Sequence, residues 1–130
     1  MPCASQNEMD EAGAKALIAN GAFAVFEGAN MPLTPEAISA VQEAGLLYTP
    51  GKASNAGGVA TSGLEMSQNS MRMSWSFEEV DEKLKGIMKK IFEACLEASI
   101  ECGKPGDMML GANVAGFLKV ADAMMAQGIV

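Results

Sequence analysis

The segment AFAVF at 22–26, followed by TPEAISAVQEAG at 34–45 and LLY at 46–48, decides the fold class. The two short apolar runs are typical of buried strands. Between them, Thr34 is suited to cap a helix, Pro35 fits its first position and Gly45 ends it. Short apolar strands that alternate with a helix predict an α/β fold with a parallel sheet.

Helical patterns precede and follow this segment. Residues 10–20 predict a helix that Gly21 ends. After the second strand, the small residues at 51–58 predict a loop, and a helix is expected at about 60–75. Two or three strands are too few for a complete parallel sheet, so we expect the chain to begin inside a fold.

The second half of the chain is expected to consist of helices. Ser76 and Glu79 form a capping box for a long amphipathic helix, which a break at 103–106 ends. The apolar stretch 108–130 carries Lys119 and Asp122 in its interior. This pattern predicts a helix buried in protein, not one that crosses a bilayer.

Composition narrows the classes of function. The 130 residues are 49% hydrophobic and 19% charged, which allows one compact domain with a buried core. Sixteen acidic and nine basic residues give a net charge of -7, which repels nucleic acid and anionic membranes. The first residues have neither a basic start nor an apolar run, so no signal peptide is predicted. The cytoplasm, or an organelle matrix, is the expected location.

Histidine is absent, and only three cysteines occur, Cys3, Cys95 and Cys102. No Ser-His or Cys-His nucleophile and no His-ligated metal site can be built from this composition. Cys95 and Cys102 lie two helical turns apart, too far for a disulfide within a regular helix. We therefore expect free thiols and no metal, and any general base must be a carboxylate or a lysine.

Two glycine-bearing polar loops, at 27–32 and 50–59, follow the two predicted strands. Ligands of open α/β sheets bind at the carboxyl ends of the strands, where both loops would lie. Glycine allows the backbone to approach a ligand, and the amides of Asn30 and Asn55 offer a donor and an acceptor each. Asparagine and glycine are equally ordinary turn residues, so composition leaves both interpretations open.

Thr61 and Ser62 are expected in the first turn of the helix after the second loop. The amide groups and dipole of a helix start favour an anion, and a hydroxyl group there can bind a substrate carboxylate. The alternative is a capping hydroxyl group without a ligand. The residues alone predict a small-molecule site of unspecified chemistry.

Several motifs together resemble the hexameric glutamate dehydrogenases of the shorter, bacterial and protist type. They are, in order, residues 2–8 (PCASQNE), 27–32 (EGANMP), 50–69 (PGKASNAGGVATSGLEMSQN), 111–117 (GANVAGF) and 119–124 (KVADAM). The resemblance covers essentially the whole chain. Leucine and phenylalanine dehydrogenases share the GGV element, but they are not similar to the SGLEMSQN that follows it.

The resemblance implies an enzyme that interconverts L-glutamate with 2-oxoglutarate and ammonium, using NAD or NADP. It also implies the C-terminal part of a Rossmann-like nucleotide-binding domain, at residues 1–104, with long C-terminal helices. The last helix, at 105–130, would return to a substrate-binding domain and help the cleft open and close, with Gly111 and Gly116 permitting tight packing.

Individual residues take roles by the same resemblance. Asn30 and Asn55 would flank the nicotinamide end of the cofactor through its ribose and carboxamide. Cys3, Ala4 and Gln6 would lie on a loop near the cofactor ribose.

Two further residues would contact the substrate. Ser62 would bind the side-chain carboxylate of the substrate, and Val59 would pack on its methylene groups.

The family's catalytic groups do not map onto this chain. Its catalytic lysine and aspartate, and the lysines that bind the substrate carboxylates, lie in an N-terminal domain, and its phosphate-binding turn also lies upstream. No catalytic residue is therefore assigned here. Lys52 is interpreted as structural, or as a phosphate or loop contact, because a base with a depressed pKa needs a desolvated cleft.

Three functional hypotheses follow. The first is a portion of a glutamate dehydrogenase that is inactive alone and part of a homo-hexamer. The second is a non-catalytic remnant that binds nucleotide or assembles with full-length subunits. The third is a dehydrogenase for another amino acid, against which Ser62 speaks because a leucine-like substrate has no distal carboxylate.

Overall fold

Two short parallel strands and six helices make up residues 1–128, which the computed structural model describes. Ile129 and Val130, the last residues of the predicted segment 105–130, lie outside the described residues. The elements in chain order are α1 (Glu11–Ala19), β1 (Ala24–Phe26), α2 (Pro35–Glu43), β2 (Leu47–Thr49), α3 (Gly51–Ser54), α4 (Ala56–Met71), α5 (Phe77–Glu101) and α6 (Met108–Gln127).

The two strands confirm the predicted parallel pairing, with Val25 opposite Tyr48. Both of these side chains are buried, and they pack with α1 and α2 in one core cluster. Residues that point to the other face are exposed, 44% for Phe26 and 63% for Leu47. The prediction that the strands are buried therefore holds for one face only. On the other face, Phe26 and Thr49 line an open cavity together with residues of α5 and α6.

Local capping chemistry starts three helices where the sequence predicts. The side chain of Asp10 accepts a hydrogen bond from Gly13 N at 2.9 Å, and Thr34 accepts one from Ala37 N at 3.3 Å. The capping box of α5 is complete: Ser76 Oγ accepts from Glu79 N, and the Glu79 carboxylate accepts from Ser76 N at 2.7 Å. These side chains bond the amide groups that a helix start leaves unpaired.

The loop predicted at 51–58 and the helix predicted at 60–75 are wrong in their boundaries. The chain turns helical directly after Pro50, and α4 begins at Ala56 after a single intervening residue. Gly57 lies in the first turn of α4, where a Cβ atom would make ordinary van der Waals contact with side chains of α5 at 3.5–3.6 Å. Arg72, at a left-handed φ of 54°, ends α4 at Met71, so Trp75 lies outside it.

The last two helices pack closely against each other, and Gly111 is the point of closest approach. A Cβ atom on Gly111 would lie 1.9 Å from the carbonyl oxygen of Cys95. Cys95, Met108 and Ala53 form a second core cluster at this contact. The tight packing expected at Gly111 is confirmed, whereas a Cβ atom on Gly116 would meet nothing within 4 Å.

The expectation that the last helix is buried is wrong for the described chain. Only Met108 and Gly111 of α6 are buried, while Phe117 is 68% and Met125 is 84% exposed. By length and composition alone, α6 is also the one helix of residues 1–128 that is long and apolar enough to cross a membrane. Many apolar side chains of α6 are exposed because α5 contacts only one side of the helix.

Candidate functional site at the carboxyl ends of the strands

The loops that follow β1 and β2 meet at a pair of asparagines. Asn55 Nδ2 donates a hydrogen bond to Asn30 Oδ1 at 2.8 Å, and a longer one of 3.4 Å to the carbonyl oxygen of Ala29. The parallel register of the strands brings both carboxyl ends to the same edge. The prediction that the two loops lie together there is therefore confirmed.

The N-terminal segment completes the same cavity. The carbonyl oxygen of Pro2 accepts hydrogen bonds from Gly28 N at 2.8 Å and Ala29 N at 3.1 Å, which holds the segment against the first loop. The resulting open cavity has a volume of about 390 Å³. All five residues predicted to bind cofactor line it: Cys3, Ala4, Gln6, Asn30 and Asn55.

Ser62 and Val59 lie apart from this cavity, on an exposed face of α4. Val59 is 78% exposed, and Ser62 donates to the carbonyl oxygen of Gly58 at 3.3 Å. Because α4 begins at Ala56, Thr61 and Ser62 lie in its second turn, so the prediction that they occupy the first turn is wrong. Their hydroxyl groups bond within the helix and do not face the unpaired amides of its start.

Glu27 is a site residue that sequence reasoning did not single out. It follows β1 directly and is only 3% exposed. Its Oε2 accepts a hydrogen bond from Gly51 N at 2.7 Å, and its backbone carbonyl accepts one from Ser54 Oγ. Its Oε1 has no hydrogen-bond partner among the described residues. The available signal was a carboxylate immediately after a buried apolar run.

Tyr48 lies behind Glu27 in the core. Burial raises the pKa of the Tyr48 hydroxyl above its ordinary value, and the nearby Glu27 carboxylate raises it further. An ionised tyrosine would there be desolvated and would face a carboxylate, so the neutral form is favoured.

Lys52 points away from the asparagine pair. Its ammonium group donates a hydrogen bond to Asn113 Oδ1 on α6. Lys52 lies beside a cavity between α5 and α6 that Lys90 and Lys119 also line. It therefore links α3 to α6, in agreement with its interpretation as a structural contact.

The cysteines are free thiols, as the sequence predicts. Cys3 and Cys102 are exposed, and burial raises the pKa of the Cys95 thiol. Within residues 1–128, no three His, Cys, Asp or Glu side chains are grouped so as to hold a metal ion.

Comparison of the sequence with known proteins finds close similarity to glutamate dehydrogenases. The Glutamate/Leucine/Phenylalanine/Valine dehydrogenase family profile matches residues 1–128. A glutamate dehydrogenase of Bacteroides thetaiotaomicron is 62% identical over the whole chain, and the NADP-specific enzyme of Escherichia coli is 58% identical. An NAD(P)-specific glutamate dehydrogenase of Xylanibacter ruminicola is 64% identical over 128 residues. The chain spans 29% of the length of each of these relatives.

Solved structures agree with the sequence comparison. A Plasmodium falciparum glutamate dehydrogenase superposes with a TM-score of 0.94 at 51% identity, covering 98% of this chain and 28% of its own. The enzyme of Peptoniphilus asaccharolyticus still gives 0.85 at 28% identity, covering 97% of this chain and 31% of its own. The chain therefore belongs to the Glutamate/Leucine/Phenylalanine/Valine dehydrogenase family, and its helix-rich α/β fold matches part of the glutamate dehydrogenase structure.

Proposed function

We propose that this chain is the part of an NAD(P)-dependent glutamate dehydrogenase that holds the nicotinamide end of the cofactor. The observation that carries this proposal is the Asn30–Asn55 pair, which lies at the carboxyl edge of the sheet. The family membership of residues 1–128 and the names of the relatives support the same conclusion.

The asparagine pair fits a carboxamide or ribose hydroxyl group. The bond between the two side chains uses Asn55 Nδ2 and Asn30 Oδ1. Asn30 Nδ2 and Asn55 Oδ1 therefore stay available as one donor and one acceptor, side by side. When bound, NAD(P) accepts or gives the hydride. The two asparagines orient its nicotinamide end, and the backbone of Cys3, Ala4 and Gln6 limits the ribose side.

The domain arrangement follows as part of the same proposal. Residues 1–104 form the C-terminal part of a Rossmann-like nucleotide-binding domain, and the segment 105–130, which contains α6, returns to the substrate-binding domain. The catalytic lysine and aspartate lie elsewhere in the enzyme, so this chain alone is inactive. The full enzyme is a hexamer of the shorter type, located in the cytoplasm or an organelle matrix.

The substrate contacts of Ser62 and Val59 also belong to the proposal. The two residues are three positions apart on α4, so they lie on one face of the helix, and both are exposed. Ser62 would bind the distal carboxylate of L-glutamate or 2-oxoglutarate by its hydroxyl group alone, because α4 begins six residues earlier, at Ala56. Ser62→Ala in the full enzyme should reduce kcat/KM for glutamate more than for an apolar amino acid.

Direct binding and turnover test the proposal. We expect the 130-residue chain to bind NAD⁺ or NADP⁺ in a calorimetric titration, and Asn55→Ala to weaken binding by roughly tenfold through loss of its hydrogen bonds. Asn20→Ala, at the end of α1, is the control and should bind as the wild type does. No binding by the wild type, or equal loss in both variants, would count against the cofactor site.

Turnover separates the proposal from its main alternative. With NAD(P)H, 2-oxoglutarate and ammonium, the chain alone should leave the absorbance at the NAD(P)H band unchanged, and adding the rest of the enzyme should restore activity. The alternative is a non-catalytic nucleotide-binding or assembly remnant, which exposed apolar side chains such as Phe23 and Met125 favour. Association with full-length subunits without any gain in activity would support that alternative.

A further inference from the structure

Glu27 is a buried carboxylate at the edge of the first core cluster, beside Tyr48. It is 3% exposed, and with Ser99 it is one of two buried polar or charged residues among the described residues. Carboxylates are seldom buried so completely unless other groups hold them. The Tyr48 hydroxyl lies near the Glu27 carboxylate, and the hydrogen bonds of Glu27 reach the segment 49–54, which leads to the candidate cofactor site.

Three contacts join Glu27 to this segment. Its backbone N–H donates to the carbonyl oxygen of Thr49 at 3.1 Å, which extends the strand ladder by one bond. Its Oε2 accepts from Gly51 N at 2.7 Å, and its carbonyl oxygen accepts from Ser54 Oγ. Together they fix the start and end of α3 to the first residue of the first loop.

The asparagine pair lies immediately beyond these three contacts, here called the Glu27 clamp, on both segments. Asn30 is three residues after Glu27, and Asn55 directly follows the last residue of α3. The two segments also approach closely at Gly51, where a Cβ atom would lie 2.5 Å from the carbonyl oxygen of Ala29. Only glycine fits there. The length of the Glu27 side chain and the lack of a side chain at Gly51 therefore both set the distance between the first loop and α3.

We propose that Glu27 is a positioning residue that fixes the distance and orientation between Asn30 and Asn55. It thereby shapes the site that binds the nicotinamide end of the cofactor. The link to the cofactor rests on the proposed function, whereas the effect on the asparagine pair does not. The position of the Glu27 oxygen is decisive because no cation pairs with the carboxylate among the described residues. Within that part of the chain, Oε2 accepts from the neutral amide of Gly51, Oε1 has no hydrogen-bond partner, and the nearby Tyr48 hydroxyl is neutral.

Two conservative variants separate the reach of the side chain from its charge. Glu27→Gln keeps an acceptor oxygen at the same distance and loses the charge. Glu27→Asp keeps the charge and withdraws the oxygen by one methylene group. Glu43→Asp, at an exposed position at the end of α2, is the matched control.

The measurement is NMR of the isotope-labelled 130-residue chain. In Glu27→Asp we expect hydrogen exchange at Gly51 N to quicken by roughly tenfold, as for loss of a hydrogen bond to a charged group. We also expect the Asn55 side-chain amide signals to move toward those of free asparagine. Glu27→Gln and Glu43→Asp should keep both signals, and the amide of Val41 in the core should be unchanged throughout.

Each other outcome overturns the proposal. An unmoved Asn55 amide in Glu27→Asp shows that the Glu27 clamp does not set the pair. An equal loss of exchange protection at Val41 shows a general structural role, and a larger effect of Glu27→Gln shows that charge, not reach, matters. Titration with NAD⁺ and NADP⁺ tests the proposed function separately: Glu27→Asp should bind the preferred cofactor about tenfold more weakly than Glu27→Gln. Failure of the wild type to bind either would count against the cofactor site and leave the amide result standing.

Discussion

The contact between α5 and α6 allows a sharp prediction, because two glycines of α6 differ in their surroundings. A Cβ atom on Gly111 would lie 1.9 Å from the carbonyl oxygen of Cys95 and 2.8 Å from its carbonyl carbon. A Cβ atom on Gly116, one and a half turns later, would meet nothing within 4 Å. Gly111→Ala and Gly116→Ala are therefore the same chemical change on one helix with opposite expected effects.

The magnitude follows from the geometry. To accept a methyl group at Gly111, the helices must separate by about 1 Å, which loosens the close packing of Cys95 and Met108. Overpacking of this kind costs about 1–3 kcal/mol, and the better helix propensity of alanine offsets up to about 1 kcal/mol of it. We expect Gly111→Ala to lower the free energy of unfolding by about 1–2 kcal/mol. Gly116→Ala should raise it by up to about 1 kcal/mol.

Urea unfolding of both variants and the wild type, followed by far-ultraviolet circular dichroism at several protein concentrations, measures this difference. The concentration series is needed because exposed apolar side chains favour association, which would add its own stability. Equal stability changes in Gly111→Ala and Gly116→Ala would refute the reasoning, since helix propensity alone would then account for both.

Three other features give independent predictions. Ser76→Ala should lower the thermal midpoint, because loss of the N-cap hydrogen bond costs about 1 kcal/mol; an unchanged melting curve would contradict this. Tyr48 has a raised pKa in the folded chain, so above about pH 10 the unfolded chain loses this proton first and the free energy of unfolding falls as pH rises. Tyr48→Phe should remove that part of the fall in urea titrations between pH 9 and 11. In a thiol-labelling assay at neutral pH, Cys3 and Cys102 should react quickly and Cys95 only as fast as the protein opens; three equal rates would exclude this difference.

The parts of the fold that sequence predicts correctly are those that local chemistry determines. The predicted caps at Thr34 and Ser76 act on amides three residues away, so their effect is readable from the sequence. The loop predicted at 51–58 is wrong because its glycines do not mark a break. Gly51 is required by the close approach of the first loop, and the other two glycines of this segment lie within α4. Local propensity treats glycine as a helix breaker. The requirement for glycine at position 51 comes from a tertiary contact, which local patterns do not show.

In the candidate site, too, some residues could be predicted from local patterns and others depend on tertiary contacts. Asn30 and Asn55 come together because a parallel sheet places both of its loops at one edge, which the strand pattern predicts. Ser62 depends on the position of a helix start, and a shift of four residues changes its surroundings. Glu27 was missed because its partner Gly51 lies 24 residues along the chain, beyond the reach of local patterns.

The exposed apolar surfaces and the open cofactor cavity have a common explanation under the proposed function. The exposed face of the sheet includes Leu47, and the exposed side of α6 includes Phe117 and Met125. Under the proposed function, exposed apolar side chains in such numbers mark surfaces that the rest of the enzyme covers. The relatives are more than three times as long as the region they share with this chain, which leaves ample protein to cover both surfaces. A cavity with one wall exposed to solvent holds cofactor weakly, because its hydrogen bonds compete with water. Under that proposal, the same covering protein would strengthen cofactor binding and supply the catalytic lysine and aspartate.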